Sequence, residues 1–225
     1  MQPPTEADAG FPIWTDDAKA IERAARFVSL IPFVDDTQLF KDMPDLTCTS
    51  QEFLDLGAGD SEEHAMLLCN YFNFIDQHQN RQKTGEQAAK TGMDVHSYIV
   101  YGEAVPDGDC WFVARRCKVN GYMELWNPMT AECYNFDRIE TTSKQAVGAD
   151  AKSTSTNMRL FDPTCTMKRV WCVVGQDNIW ANIQPEDAPV LMNFNLEDKK
   201  SWKPFLDDKL KAAAYGGRAM SSLSV

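Results

Sequence analysis

The chain has 225 residues, of which 44% are apolar, 24% charged and 11% aromatic, and its formal net charge is −11. That length suits one large domain or two small ones, and burial of roughly 70% of the unfolded surface can hold a core without disulfides or metal. The negative charge opposes whole-surface binding to nucleic acid or to an anionic membrane; a local basic patch stays open, though no dense Lys/Arg run marks one.

The first predicted element is a helix over 18–27, opened by Thr15-Asp16-Asp17, a capping hydroxyl followed by acids near the positive end of the macrodipole. Residues 28–34 (VSLIPFV) read as an apolar extended stretch, which Pro32 keeps out of a sheet centre. Thr49-Ser50 then predict a short helix over 51–56, ended by Gly57 and Gly59. The strongest helix signal follows. Asp60 and Glu63 have the spacing of a capping box, and Ala65, Leu68, Phe72 and Ile75 form a stripe that Leu67, Tyr71 and Phe74 widen. A helix apolar on nearly all sides belongs in a core.

Residues 77–93 and 141–158 are polar and read as flexible surface insertions, the first with room for the core helix to extend before Gly85. Strands are predicted over 95–101, 110–117, 122–126, 170–174 and 179–183, with Val119-Asn120-Gly121 as a hairpin turn. A helix-prone tail over 207–215 closes the pattern. Helices first, then antiparallel strands, specify an α+β domain with a buried core helix packed on an antiparallel sheet. The organisation expected is an N-terminal extension and helix over 1–26, the main domain over 27–206, and a tail over 207–225.

Seven cysteines are present: Cys48, Cys69, Cys110, Cys117, Cys133, Cys165 and Cys172. Their odd number, the absence of a CxxC pair and their place in apolar runs point to reduced, buried thiols in a cytoplasmic protein. Residues 1–10 lack the apolar core of a signal peptide, and no stretch of about 20 apolar residues is there to span a membrane. Direct membrane insertion is therefore not expected.

Papain-like and transglutaminase-like enzymes place a nucleophile at the N-terminus of a buried helix, a His on one strand and an orienting acid or amide on the next. The element order here has that architecture. Five segments also resemble, in order, the C-terminal transglutaminase-like (cysteine-protease-like) domain of the coiled-coil and C2 domain-containing protein 2A family, ciliary transition-zone proteins linked to Meckel and Joubert syndromes. They are 27–33 (FVSLIPF), 60–72 (DSEEHAMLLCNYF), 125–128 (LWNP), 177–180 (DNIW) followed by Asn182-Ile183-Gln184, and 201–205 (SWKPF). The resemblance implies a papain/transglutaminase-like fold and a role in cilium assembly at the transition zone or basal body.

By the family's motifs the nucleophile lies four residues before Ala65, at Ser61. The His slot, before Cys110-Trp111, falls on Asp109, and the third place, before Pro128, on Asn127. An ionised Asp is far too weak a base for a hydroxyl near neutral pH, and Asn127 has no His to orient. The resemblance thus implies an inactive enzyme fold retained as a protein- or peptide-binding scaffold, with ciliary-base proteins as partners and a peptide in the degenerate cleft. The alternative is an active hydrolase or acyl transferase that uses Ser61 with His64, one turn on, or Cys110 beside Trp111. Trp111, Trp126 and Trp180 are candidates to line the cleft or to pack beneath the hairpin, and Arg115-Arg116 to meet an acidic partner. The His and Cys spacings give no metal site, Asp60-Ser61-Glu62-Glu63 reads as a helix cap, and no cofactor is implied.

Overall fold

In a computed structural model, the described residues are 19–35, 47–82, 94–119, 121–141, 156–207 and 210. Three helices precede eight strands: α1 (Ala20–Ser29), α2 (Ser50–Leu56), α3 (Ser61–Gln82), β1 (Val95–Ala104), β2 (Gly108–Cys117), β3 (Met123–Trp126), β4 (Cys133–Thr141), β5 (Thr156–Phe161), β6 (Met167–Val174), β7 (Ile179–Asn182) and β8 (Trp202–Pro204). The predicted helix start at Thr15-Asp16-Asp17, residues 83–93 and 142–155, and nearly all of the tail lie outside the described residues.

Local chemistry sets the helix ends. The Thr49 hydroxyl accepts from the Glu52 N–H while the Glu52 carboxylate accepts from the Thr49 N–H, and Gly57 closes α2 at φ 68°. At the head of α3 the Glu62 N–H donates to Asp60 (2.8 Å) and the Asp60 N–H to Glu63 (3.1 Å). From there α3 runs 22 residues and buries Leu67, Leu68, Phe72 and Ile75, each contributing about 1.5–3 kcal/mol. α1 reaches two residues further than the sequence pattern predicts, because Val28 is part of the packing face with Ala20, Ala24 and Ala25.

The expected antiparallel strands form one sheet in the order β5-β4-β3-β2-β1-β6-β7-β8. This is a meander only from β1 to β5; β6 returns to pair with the free side of β1, so β1 and β2 occupy the middle. Beside β6 a register shift after Tyr101 makes Trp171 an extra residue, and Gly102 crosses so close to β6 that a Cβ there would lie 1.9 Å from the Arg169 carbonyl oxygen.

Strand alternation divides the core into two clusters. On the α3 side, Trp111, Val113 and Trp126 pack with α1, α2 and α3. On the opposite side, Cys110, Phe112, Leu125 and Val170 pack with Met192, Phe194 and Trp202, brought over by the long connection before β8. The buried helix on an antiparallel sheet is the α+β arrangement expected from the sequence.

Candidate functional site

The direction of α3 across the sheet fixes where any site at its N-terminus lies. The Asn73 side chain pairs with the backbone of Ser97 at the start of β1, accepting from its N–H at 2.9 Å and donating to its carbonyl at 3.1 Å. Asp76 receives two hydrogen bonds from Arg115 near the end of β2, and Phe72 meets Trp126, the partner of Val113, at 5.4 Å between ring centroids. α3 therefore runs in the same direction as β2 and antiparallel to β1. From Phe72 back to Ser61 is about 16 Å at 1.5 Å per residue, and from Val113 back to Asp109 about 13 Å at 3.3 Å per residue. Ser61 and Asp109 thus reach the same end of the layer, with Asn127, level with Phe112, roughly 10 Å further in.

Asp109 is exposed and accepts a hydrogen bond from the Tyr101 hydroxyl at 3.3 Å. The Asn127 Oδ1 accepts from the Met129 N–H at 2.9 Å and closes the turn between β3 and β4. The chain has three histidines. His64 is fully buried, its Nδ1 at 2.5 Å from the Asp60 carbonyl oxygen and its Nε2 at 3.0 Å from that of Ile31. Both ring nitrogens are engaged by backbone, and the ring packs edge-on against Phe53 at 4.8 Å. His78 stacks on Phe74 near the far end of α3. His96, 2.6 Å from Asp94, sits opposite Arg116 at the far end of β1, seven register positions or about 23 Å from Asp109.

Cys110 and Cys69 are both buried. Cys110 points to the side of the sheet away from α3, and burial, aided by the charges of Asp107 and Asp109, pushes its thiol up to about 12. Cys69 lies inside α3, where burial pushes it up to about 12 against the smaller opposing effect of Asn73. Both stay protonated at neutral pH, and the thiolate is the reactive form.

The other candidates separate as strand geometry dictates. Arg115 and Arg116 do not form one basic patch: they are consecutive on β2 and face opposite sides of the sheet. Arg115 is held between Asp76 (2.6 Å) and Glu124 (3.2 Å), and Arg116 lies on the other face beside Tyr98. Trp126 is in the core, its indole N–H donating to Glu124 at 3.1 Å. Trp111 is half-buried at the edge of the α3-side cluster, 4.4 Å from the Tyr101 ring, which Trp171 meets edge-on at 5.1 Å. That row of three rings was not anticipated from the sequence. Tyr101 and Trp111 had a period-two signal, but Trp171 joins them only through the bulge.

Asp60, Glu62 and Glu63 bring carboxylate oxygens within 4.8 Å of one another and are the one such group among the described residues. Each already accepts a hydrogen bond: Asp60 from the Glu62 N–H, Glu62 from the Thr47 hydroxyl (2.6 Å), and Glu63 from the Cys48 N–H (3.0 Å). They tie the segment entering α2 to the head of α3.

Comparison with known families decides the lineage of this site. Residues 45–80 and 89–205 match the family described as the CEP76 peptidase-like domain. The chain belongs to that family. It is 32% identical over 182 residues to Protein CC2D2B of Homo sapiens, a match covering 81% of this chain and 10% of that protein. It is 24% identical over 196 residues to coiled-coil and C2 domain-containing protein 2A of Drosophila melanogaster, covering 87% of this chain and 12% of that protein. Centrosomal protein of 76 kDa of Xenopus laevis is 24% identical over 201 residues, covering 88% and 26%. The chain therefore spans about a tenth of the first two relatives and about a quarter of the third. The sequence motifs at Ser61, Asn127 and Trp202 thus resemble a group to which the chain is measurably related, and the peptidase-like architecture agrees with the expected helix-on-sheet fold. No described helix is long and apolar enough to cross a membrane.

Proposed function

We propose that the chain is a non-catalytic member of the peptidase-like family, a protein- or peptide-binding module that serves cilium assembly at the transition zone or basal body. The observation that carries the reading is the state of the His64 ring. It is the histidine nearest to Ser61 in the sequence, and both its nitrogens meet backbone carbonyls. The remaining histidines belong to the far ends of α3 and β1, so among the described residues no histidine with a free ring nitrogen stands at the end of the layer that holds Ser61 and Asp109. The centrosomal name of one relative and the resemblance to the transition-zone family support a place at the ciliary base, in the cytoplasm. Partners are then ciliary-base proteins.

The rival reading, a hydrolase or acyl transferase acting through Ser61 with His64 or through Cys110, makes a direct chemical prediction. A fluorophosphonate probe and a thiol-alkylating probe are each applied to the native chain and to Ser61→Ala and Cys110→Ala variants. The module reading expects labelling of the native chain no greater than that of the variants. Labelling of the native chain near one equivalent, lost in either variant, overturns it.

A further inference from the structure

On the side of the sheet away from α3 lies a groove of about 470 Å³, whose lining includes none of Ser61, Asp109 and Asn127. Its floor is aromatic: Tyr98 on β1 and Trp180 on β7 meet edge-on at 6.2 Å, with Pro204 and the buried Trp202 beside them. The walls are held in place before any ligand arrives. The Asn178 side chain accepts from the N–H groups of Ile179 and Leu206 and donates to the Leu206 carbonyl. Asp198 binds Ser201 and Asn193 at 2.9 Å each, and the Trp202 indole N–H donates to the Asn193 carbonyl at 2.6 Å. The volume and the apolar floor are those of a small-ligand or side-chain pocket.

Charge is sorted along the groove by the strand order. Arg116 and Lys118, at the end of β2, form one end. Asp177, in the turn between β6 and β7, and Asp207, after β8, form the other. With β2, β1, β6, β7 and β8 side by side, the two ends are roughly 10–20 Å apart at about 4.8 Å per strand. The loop above adds one charge of each sign, Glu197 and Lys199, and Asp94 stands outside the lining, paired with His96. The groove is thus close to neutral in total but polar along its length, inside a chain of net charge −11.

We propose that this groove binds a linear peptide segment of a partner protein in which an apolar side chain is flanked by an acidic residue on one side and a basic residue on the other. The apolar side chain lies on Tyr98 and Trp180, the acid meets Lys118 beside Arg116, and the base meets Asp207 beside Asp177. An extended five-residue segment places its first and last side chains about 13 Å apart, within the separation of the two ends. That the occupant is a peptide rests on the binding-module reading; the charge sorting and the aromatic floor do not.

The test titrates the ¹⁵N-labelled chain with acetyl-Glu-Ser-Leu-Ser-Arg-amide, with its reversed order, and with a neutral analogue carrying Ala at both ends. The expected result is a saturable shift of the Trp180 indole resonance with one of the two orders, weakened about tenfold in the neutral analogue. Lys118→Glu, at an exposed position, is expected to weaken the charged peptide to a similar extent and to favour a partner peptide whose acid is replaced by Lys. No saturable shift with either order up to about 5 mM overturns the proposal, as does equal binding of the neutral analogue. Either result leaves the ciliary-base reading to be decided by localisation in cells.

Discussion

Arg115 on β2 grips Asp76 on α3 with two hydrogen bonds, Nε to Oδ2 at 2.9 Å and Nη2 to Oδ1 at 2.6 Å, and so fixes the helix to the sheet. Glu124 completes the cluster, receiving Arg115, the Trp126 indole N–H and the Tyr122 hydroxyl. Burial alone would lower the affinity of the guanidinium for its proton, but the hydrogen bonds and charges of Asp76 and Glu124 outweigh it and raise it. Removing one partner leaves a buried charge alone. Arg115→Met is expected to lower stability by about 3–5 kcal/mol, and Arg115→Lys by less, since Lys keeps the charge and loses the fork. Urea unfolding followed by circular dichroism reads both.

His64 makes a second prediction about the same helix. Its ring joins the head of α3 to Ile31 and fills the space beside Phe53. His64→Phe keeps an aromatic ring there but takes the side-chain partner from the Ile31 carbonyl, while the Asp60 carbonyl still accepts from the backbone N–H of residue 64, so a loss of about 1–3 kcal/mol is expected. A melting temperature equal to that of the native chain would show that the ring only fills space.

Two glycines should respond differently to Ala. At Gly102 the new Cβ would collide with the backbone of Arg169, and β1 and β6 would have to separate, with a loss of about 3 kcal/mol or more. At Gly57 nothing lies within 4 Å, and the positive φ of 68° alone limits the loss to about 1–2 kcal/mol. The order of the two denaturation midpoints checks the assignment.

The buried thiols set a pH dependence. Burial first of all raises Cys69, Cys110 and Cys133 from 9.0 to about 12. Between those values the folded chain holds protons that the unfolded chain has released. The stability contribution is full below about pH 9 and is lost as pH rises towards 12. The urea midpoint is expected to fall across that range, and Cys69→Ala to flatten part of the fall. At neutral pH the buried Cys69 and Cys110 should react with an alkylating agent only after unfolding.

The parts of this fold governed by neighbouring residues could be read from the sequence. Thr49, Glu52 and Gly57 bracket α2 as their chemistry requires, and Asp60 with Glu63 starts α3. The strands β4, β5 and β8 went unread for physical reasons. β5 pairs only with β4, β8 spans three residues, and the polar Thr/Ser content around 141–158 resembles a loop while Thr156 and Asn157 in fact pair with β4. Nor could the sequence give the pairing of β6 with β1, which depends on residues some 70 positions apart. Arg115 and Arg116 show the same limit at the scale of a site. Adjacent in the chain, they serve opposite faces, one inside an ion-pair cluster and the other at the end of a groove that only the completed sheet creates.

The most direct measurement of the central claim is proximity labelling with the tagged chain in ciliated cells, read together with its position by microscopy, for the native sequence and for Ser61→Ala. A non-catalytic module of the ciliary base predicts concentration at that base, with the same labelled ciliary neighbours for both proteins. A diffuse cytosolic signal without such neighbours, or neighbours that vanish with the Ser61 hydroxyl, would contradict it.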